Sequence, residues 1–146
     1  MSFKLYLAHQ YALSVNTLSV APIQPLLSRY AVYSSEDVLE KLYGRDKVLG
    51  YLRRKYDRQS SYNSAIAELA LAPFEEQRLF PCVLIFQVAE PQCLVRLVAI
   101  RGKIGKVIIH RTEPSPHETI RIGWYPGRGL PASVAQQAFS QWELAA

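Results

Sequence analysis

Between residues 80 and 111 the chain carries three strand-like runs that are apolar on both alternation phases. In the run 93–101, Cys93, Val95, Leu97 and Ala99 fall on one phase, and Leu94, Arg96, Val98 and Ile100 on the other. Successive side chains of a strand point to opposite faces, and a sheet with one wet face alternates apolar with polar. These runs do not, so both faces of their sheet need cover. Leading helices can line one face. The other requires a second copy of the chain or the C-terminal segment 131–144. We expect a homodimer through the outer sheet face, the alternative being a monomer whose last helix fills that role.

The rest of the chain fits around such a sheet. Phe3, Leu7 and Tyr11 recur at spacing four, with Ala8 and Ala12 beside them, and predict a helix over 3–15 rather than a signal peptide. The polar stretch 16–19 reads as its break. Pro22 and Pro25 suit only a helix start, so a short second helix is expected to end near 26–28. Strands follow at 30–35 and 38–43. Gly44 ends the second of these, and a third helix opens at Arg45 or Asp46 and carries Val48, Tyr51, Leu52, Lys55 and Tyr56. Residues 60–72 are ambiguous between strand and helix and are read as strand from context. Strands over 80–88 and 93–101 come next, with Glu90-Pro91 as the turn between them. Gly102-Lys-Ile-Gly then turns the chain into an antiparallel return over 106–111. A loose segment over 112–130 leads to a last helix at 133–144. Helices first and a meander afterwards indicate α+β, not a parallel α/β fold.

With 146 residues there is room for one domain. Hydrophobic residues make up 49% and charged residues 20%, which excludes a disordered chain. No run approaches the roughly 18 apolar residues of a membrane helix, so no membrane partner is expected. The net charge of +5 is mild. The basic cluster Arg53-Arg54-Lys55 with Arg58 sits at a helix C-terminus, where the dipole accounts for it. A nucleic-acid partner would need a broader stripe with interleaved aromatics, and none is expected. His9, His110 and His117 are scattered without metal-ligand spacing, and no metal or other cofactor is implied. Cys82 and Cys93 form no Cys-x-x-Cys pair. They read as two buried free thiols in a reducing cytoplasm, although neighbouring strands could bring them face to face.

Three stretches give the chain a resemblance. They are Leu26-Leu-Ser-Arg-Tyr-Ala-Val-Tyr-Ser-Ser-Glu-Asp, Leu42-Tyr-Gly-Arg-Asp-Lys-Val-Leu-Gly-Tyr-Leu, and Arg101-Gly-Lys-Ile-Gly-Lys-Val-Ile-Ile-His-Arg. In this order and spacing they resemble the nuclear transport factor 2-like superfamily, which includes SnoaL-like polyketide cyclases and ketosteroid isomerases. The resemblance covers residues 1–112. Residues 113–146 depart from the short family ending and are read as a C-terminal extension of the same domain. The implied fold is a cone of curved antiparallel sheet wrapped on three N-terminal helices, with the extra C-terminal helix and a pocket at the open end. The Asp pair of the isomerases has no counterpart. Its base position falls near Ser35, and its sheet position near Leu94 or Val95, with Arg96 adjacent.

An arginine inside an apolar strand must find an anion, a carboxylate or a rim. Arg96 therefore reads as an ion-pair partner of Glu36, Asp37 or Glu68, as an interface contact, or as a pocket cation for a substrate carboxylate or enolate. Tyr11, Tyr33, Tyr51 and Trp124, with Ser35, are candidate pocket walls, since aromatics with polar tips suit an amphipathic ligand. Asp37 and His110 are the candidate general bases. Three functions stay open. The first is binding of a small apolar or amphipathic ligand in the cone; the second is SnoaL-like isomerase or cyclase chemistry. The third is a protein-interaction module built on the outer sheet or the tail helix.

Overall fold

A computed structural model describes residues 2–36, 38–59, 65–75, 78–87 and 90–128. Helix α1 (Phe3–Thr17) leads, a 3₁₀ turn (Gln24–Leu26) follows, and strands β1 (Leu27–Ser35) and β2 (Val38–Tyr43) precede helix α2 (Arg45–Asp57). Strands β3 (Ile66–Glu75), β4 (Arg78–Gln87), β5 (Glu90–Ile100) and β6 (Lys103–His110) form the meander. A second 3₁₀ turn (Pro116–Glu118) leads to β7 (Ile120–Trp124). The expected last helix over 133–144 lies outside the described residues.

All seven strands join one sheet in the order β2-β1-β6-β5-β4-β3-β7. Neighbours are antiparallel except β1 and β6, which run parallel with Tyr33 opposite Val107 and Ser35 opposite Ile109. The β5–β6 turn is the tight one: Arg101 and Gly102 both take positive φ, 52° and 77°, as a two-residue hairpin turn matched to strand twist demands. Register shifts interrupt the β1–β2, β4–β5, β5–β6 and β3–β7 ladders. Such irregularities bend strands and increase their twist, and they curve the sheet around the two helices.

Strand alternation sorts the apolar residues into two cores. On the inner face Ala67, Leu69, Val83, Cys93, Val95, Val107 and Ile109 pack with Leu7, Tyr11 and Val15 of α1 and Val48, Leu52 and Tyr56 of α2. On the outer face Ala70, Ala72, Cys82, Leu84, Phe86 and Leu94 form a second cluster, buried within the single chain. Pro116 is buried in the 3₁₀ turn beside β5. Cys82 and Cys93 are free and buried, one in each core, so the sheet itself keeps the thiols apart.

The departures from expectation have physical causes. The second helix shrinks to a three-residue 3₁₀ turn with a proline in its first turn, because Pro22 and Pro25 remove two donors that a longer helix would need. Phe3 is exposed while Leu5 is wholly buried: α1 is covered on more than one side, which a single-stripe reading misses. Glu90 and Pro91 are not the turn; they already pair with Gln87 and Phe86. The segment read as loose contains β7, held by Glu68. That carboxylate, on the outer face of β3, is fully buried. It accepts from Arg121 Nε at 2.9 Å and Nη2 at 2.6 Å and from the Gly123 backbone N–H at 3.1 Å. Within that same segment Gly127 lies close against α1. It sits at φ 80°, and a Cβ there would stand 2.9 Å from Leu13 Cδ1 and 3.2 Å from Thr17 Cγ2 on α1.

The polar residue taken as a helix break ties these parts together. Asn16 stays inside α1, which ends one residue later in a left-handed cap at Leu18. Its side chain accepts from Ala67 N–H at 2.7 Å and donates to Ala67 C=O at 2.9 Å and to Pro126 C=O at 2.7 Å. Ala67 is wholly buried, so its backbone groups have no water to fall back on. Each orphaned group costs about 1–3 kcal/mol. Asn16→Ala should therefore lower unfolding free energy by about 2–6 kcal/mol, summing those two costs, read as a lower urea midpoint with an unchanged slope.

Candidate functional site

The inner face does not fill completely. Between α1, α2 and the concave sheet lies a cavity of about 260 Å³. Its deep wall is built from buried Tyr11 and Val15 of α1, Leu52 and Tyr56 of α2, Tyr33 of β1, Cys93 and Val95 of β5, and Ile109 of β6. Its mouth is built from exposed Val38 and Glu40 of β2, Lys55 of α2, and Arg111 just past β6. Ser35, Leu42, Tyr51, Gln59, Ala65 and Ile85 complete the lining.

Tyrosine hydroxyls supply the polarity of the interior. The Tyr33 and Tyr51 rings meet tilted at 52°, with 5.1 Å between centroids. Burial holds the Tyr11 and Tyr33 phenols well above their ordinary ionisation range, reinforced for Tyr11 by Tyr33 and for Tyr33 by Tyr51. Both stay neutral O–H groups at any physiological pH. Burial likewise pushes Tyr56 up to about 12, against the opposing effect of Ser14. Ser14 Oγ donates to the Ser19 carbonyl at 2.6 Å, so it must accept from Tyr56 Oη at 3.0 Å. The Tyr56 proton is thereby committed to the protein. Burial also raises the Cys93 thiol, which the charges of Arg111 and Lys55 partly offset.

Of the residues singled out from sequence, Tyr11, Tyr33, Ser35 and Tyr51 meet at the cavity. Trp124 does not line it: its ring packs edge-on against His9 at 5.1 Å. Arg96 lies on the opposite face from Cys93 and Val95. It pairs with Glu75 at 2.8 Å and stacks over Phe74 at 4.9 Å, so it is not the cavity's cation, and neither Glu36 nor Glu68 is its partner. The cause is parity. Both phases of β5 are apolar, and the phase that turns inward is the one without the arginine. Asp37 lies outside the described residues.

His110 shares the outer phase, so it is not a cavity base. Its ring packs against Phe74 at 5.3 Å, and Nδ1 lies 2.9 Å from Glu36 Oε1 and 3.1 Å from the Glu113 carbonyl. Both are acceptors, so Nδ1 carries the hydrogen and donates to each. Among the described residues Nε2 is buried without a partner. Glu36 Oε2 also accepts from the backbone N–H groups of Arg111 at 3.1 Å and Thr112 at 2.9 Å. Burial works against the Glu36 carboxylate, but those two backbone donors and His110 outweigh it and hold the group down at about 2. The pair clamps the end of β1 to the chain leaving β6.

Sequence reasoning passed over Lys55, Gln59, Glu40 and Arg111. Spacing held the signal. Tyr51, Lys55 and Gln59 recur at four and so share a helix face, and Ile109 and Arg111 share a strand phase. Reading Lys55 as one member of a dipole-complementing cluster hid that geometry.

No family model matches the chain, and no curated protein matches it. Solved structures do. A candidate ketosteroid isomerase from Kribbella flavida DSM 17836 superposes with a TM-score of 0.53 at 18% identity, over 73% of this chain and 76% of that one. A protein of unknown function from Cytophaga hutchinsonii ATCC 33406, of the nuclear transport factor 2-like type, gives 0.48 at 12% identity, over 78% and 94% of the two chains. Another of that type from Burkholderia xenovorans LB400 gives 0.48 at 12%, over 88% and 86%. The likeness is one of fold.

The Glu36 clamp makes a pH prediction. A carboxyl held at about 2 when folded, against an ordinary 4.5, contributes stability that is fully present above pH ~4.5 and is lost as pH falls toward ~2. Glu36→Gln should be less stable at neutral pH and should lack that part of the acid-induced loss. Parallel acid-unfolding curves of the two proteins, followed by circular dichroism, check it.

Proposed function

We propose that this chain, which has the nuclear transport factor 2-like fold, binds a small apolar or amphipathic molecule in its cone. The observation that carries this reading is an inner face left partly empty beneath buried tyrosines, with an exposed polar mouth. A cavity lined by aliphatic and aromatic side chains with a few polar tips suits such a ligand. The interaction-module reading calls for a filled cone. The isomerase or cyclase reading calls for Arg96 beside a carboxyl or imidazole in the cavity, and Arg96 and His110 both lie on the other face. Ligand binding without that chemistry is therefore favoured.

Indole, small and aromatic with one donor, is a suitable probe. In NMR titrations it should shift the signals of Val15, Val95 and Ile109. Ile85→Trp, which fills the lining, should weaken its binding at least tenfold, a loss of about 1.4 kcal/mol or more, with the fold retained. Unmoved signals in the wild-type protein would sink the reading.

Self-association belongs with this proposal. Leu39 is fully exposed, and Tyr30 and Tyr43 are 78% and 62% exposed, none of them lining the cavity. A second copy seated there would cover them, and Leu39→Lys would then shift the sedimentation coefficient from dimer to monomer.

A further inference from the structure

The cavity mouth is not electrically neutral among the described residues. Lys55 and Arg111 line it from α2 and from the end of β6, while Glu40 on β2 is the only described carboxylate in the lining. Among the described residues Lys55 has no ion pair or hydrogen bond, and it stands one turn beyond Tyr51 on the same helix face. Arg111 holds a protein contact as well. A guanidinium has five donors, so that contact and a ligand contact are compatible. Both cations lie close enough to influence Cys93, in the inner wall. Charge at the mouth thus stands directly above apolar and phenolic walls.

From this arrangement we infer that the ligand is an amphipathic monoanion, its apolar body among Tyr11, Val15, Val95 and Ile109 and its acidic head at the mouth on Lys55 and Arg111. The inference rests on the cavity being a ligand site and adds the head group. Size sets the class. At ~30 Å³ per water-sized unit, about 260 Å³ accommodates on the order of nine such units, the scale of a single ring with a short acidic arm. Burial of the ring contributes most of the affinity. The head group supplies selectivity, because an ammonium–carboxylate contact is charge-assisted and at a partly shielded mouth is worth more than a surface pair. Glu40 across the opening disfavours a second negative charge on the ligand.

The test compares 3-phenylpropionate with its neutral amide by isothermal titration calorimetry on the full chain. The acid should bind about tenfold or more tighter than the amide, within the range of hydrogen bonds to charged groups. Its affinity should fall with added salt. Lys55→Gln should erase most of that preference, read as the ratio of acid to amide affinity in the variant against the wild-type protein, and Arg111→Gln should reduce it further. Equal affinity for acid and amide in the wild-type protein would overturn the head-group inference and leave the cavity reading standing. Failure of both compounds to bind would overturn the two together. Retention of the full acid preference in Lys55→Gln and Arg111→Gln alike would place the selectivity elsewhere and refute the assignment.

Discussion

One carboxamide holds the architecture together. Asn16 acts as a short stretch of missing strand: it satisfies both backbone groups of Ala67 on β3, outside the stretch paired with β7, and grips Pro126 with the same amide. A helix side chain cannot ordinarily join a ladder, because helix and sheet surfaces are some 10 Å apart. Here the C-terminal turn of α1 comes close enough, and Gly127, without a Cβ, lets the returning chain lie against Leu13 and Thr17. The position of α1 over the sheet, and so the depth of the cavity beneath Tyr11 and Val15, follows from that contact.

The two sheet faces divide the work. Inside, apolar packing is interrupted by phenols that burial keeps neutral. Outside, every carboxylate, guanidinium or imidazole on β3, β5 and β6 that the described residues bury or half-bury is paired. Glu68 meets Arg121, Arg96 meets Glu75, and His110 meets Glu36. A buried carboxylate without its cation costs several kcal/mol, and Arg121 forks onto Glu68 while stacking over Phe86 at 4.9 Å. The outer clusters therefore fix β7 and the end of β1 in place. Catalytic readings of Arg96 and His110 give way to this structural role.

Much of this was legible in the residues. The branched runs placed β4, β5 and β6, the limits of β2 were read as 38–43, and Gly44-Arg45 marked the start of α2. Tyr11, Tyr33 and Tyr51 were singled out for their aromatic bodies and polar tips, and Ser35 through the resemblance, and all four line the cavity. What escaped shares a cause: it depends on contacts between residues far apart in the chain. β7 is five residues long and exists as a strand through Glu68, 53 residues before Arg121. Asn16 reads as a breaker until Ala67 is beside it. The side of the sheet taken by Arg96 was undecidable because β5 is apolar on both phases, and alternation tells which residues share a face but not which face is inward.

The parallel junction of β1 with β6 has a consequence in time. Tyr33 finds Val107, and Ser35 finds Ile109, across more than half the length of the chain. Pairings of such separation are slow to form, since loop closure is charged before any contact repays it. As the polypeptide leaves the ribosome, the first two strands have no neighbour on one side until residue 109 has emerged. The hollow is thus among the last features to close, and newly made protein spends an interval with its future interior open to surrounding small molecules.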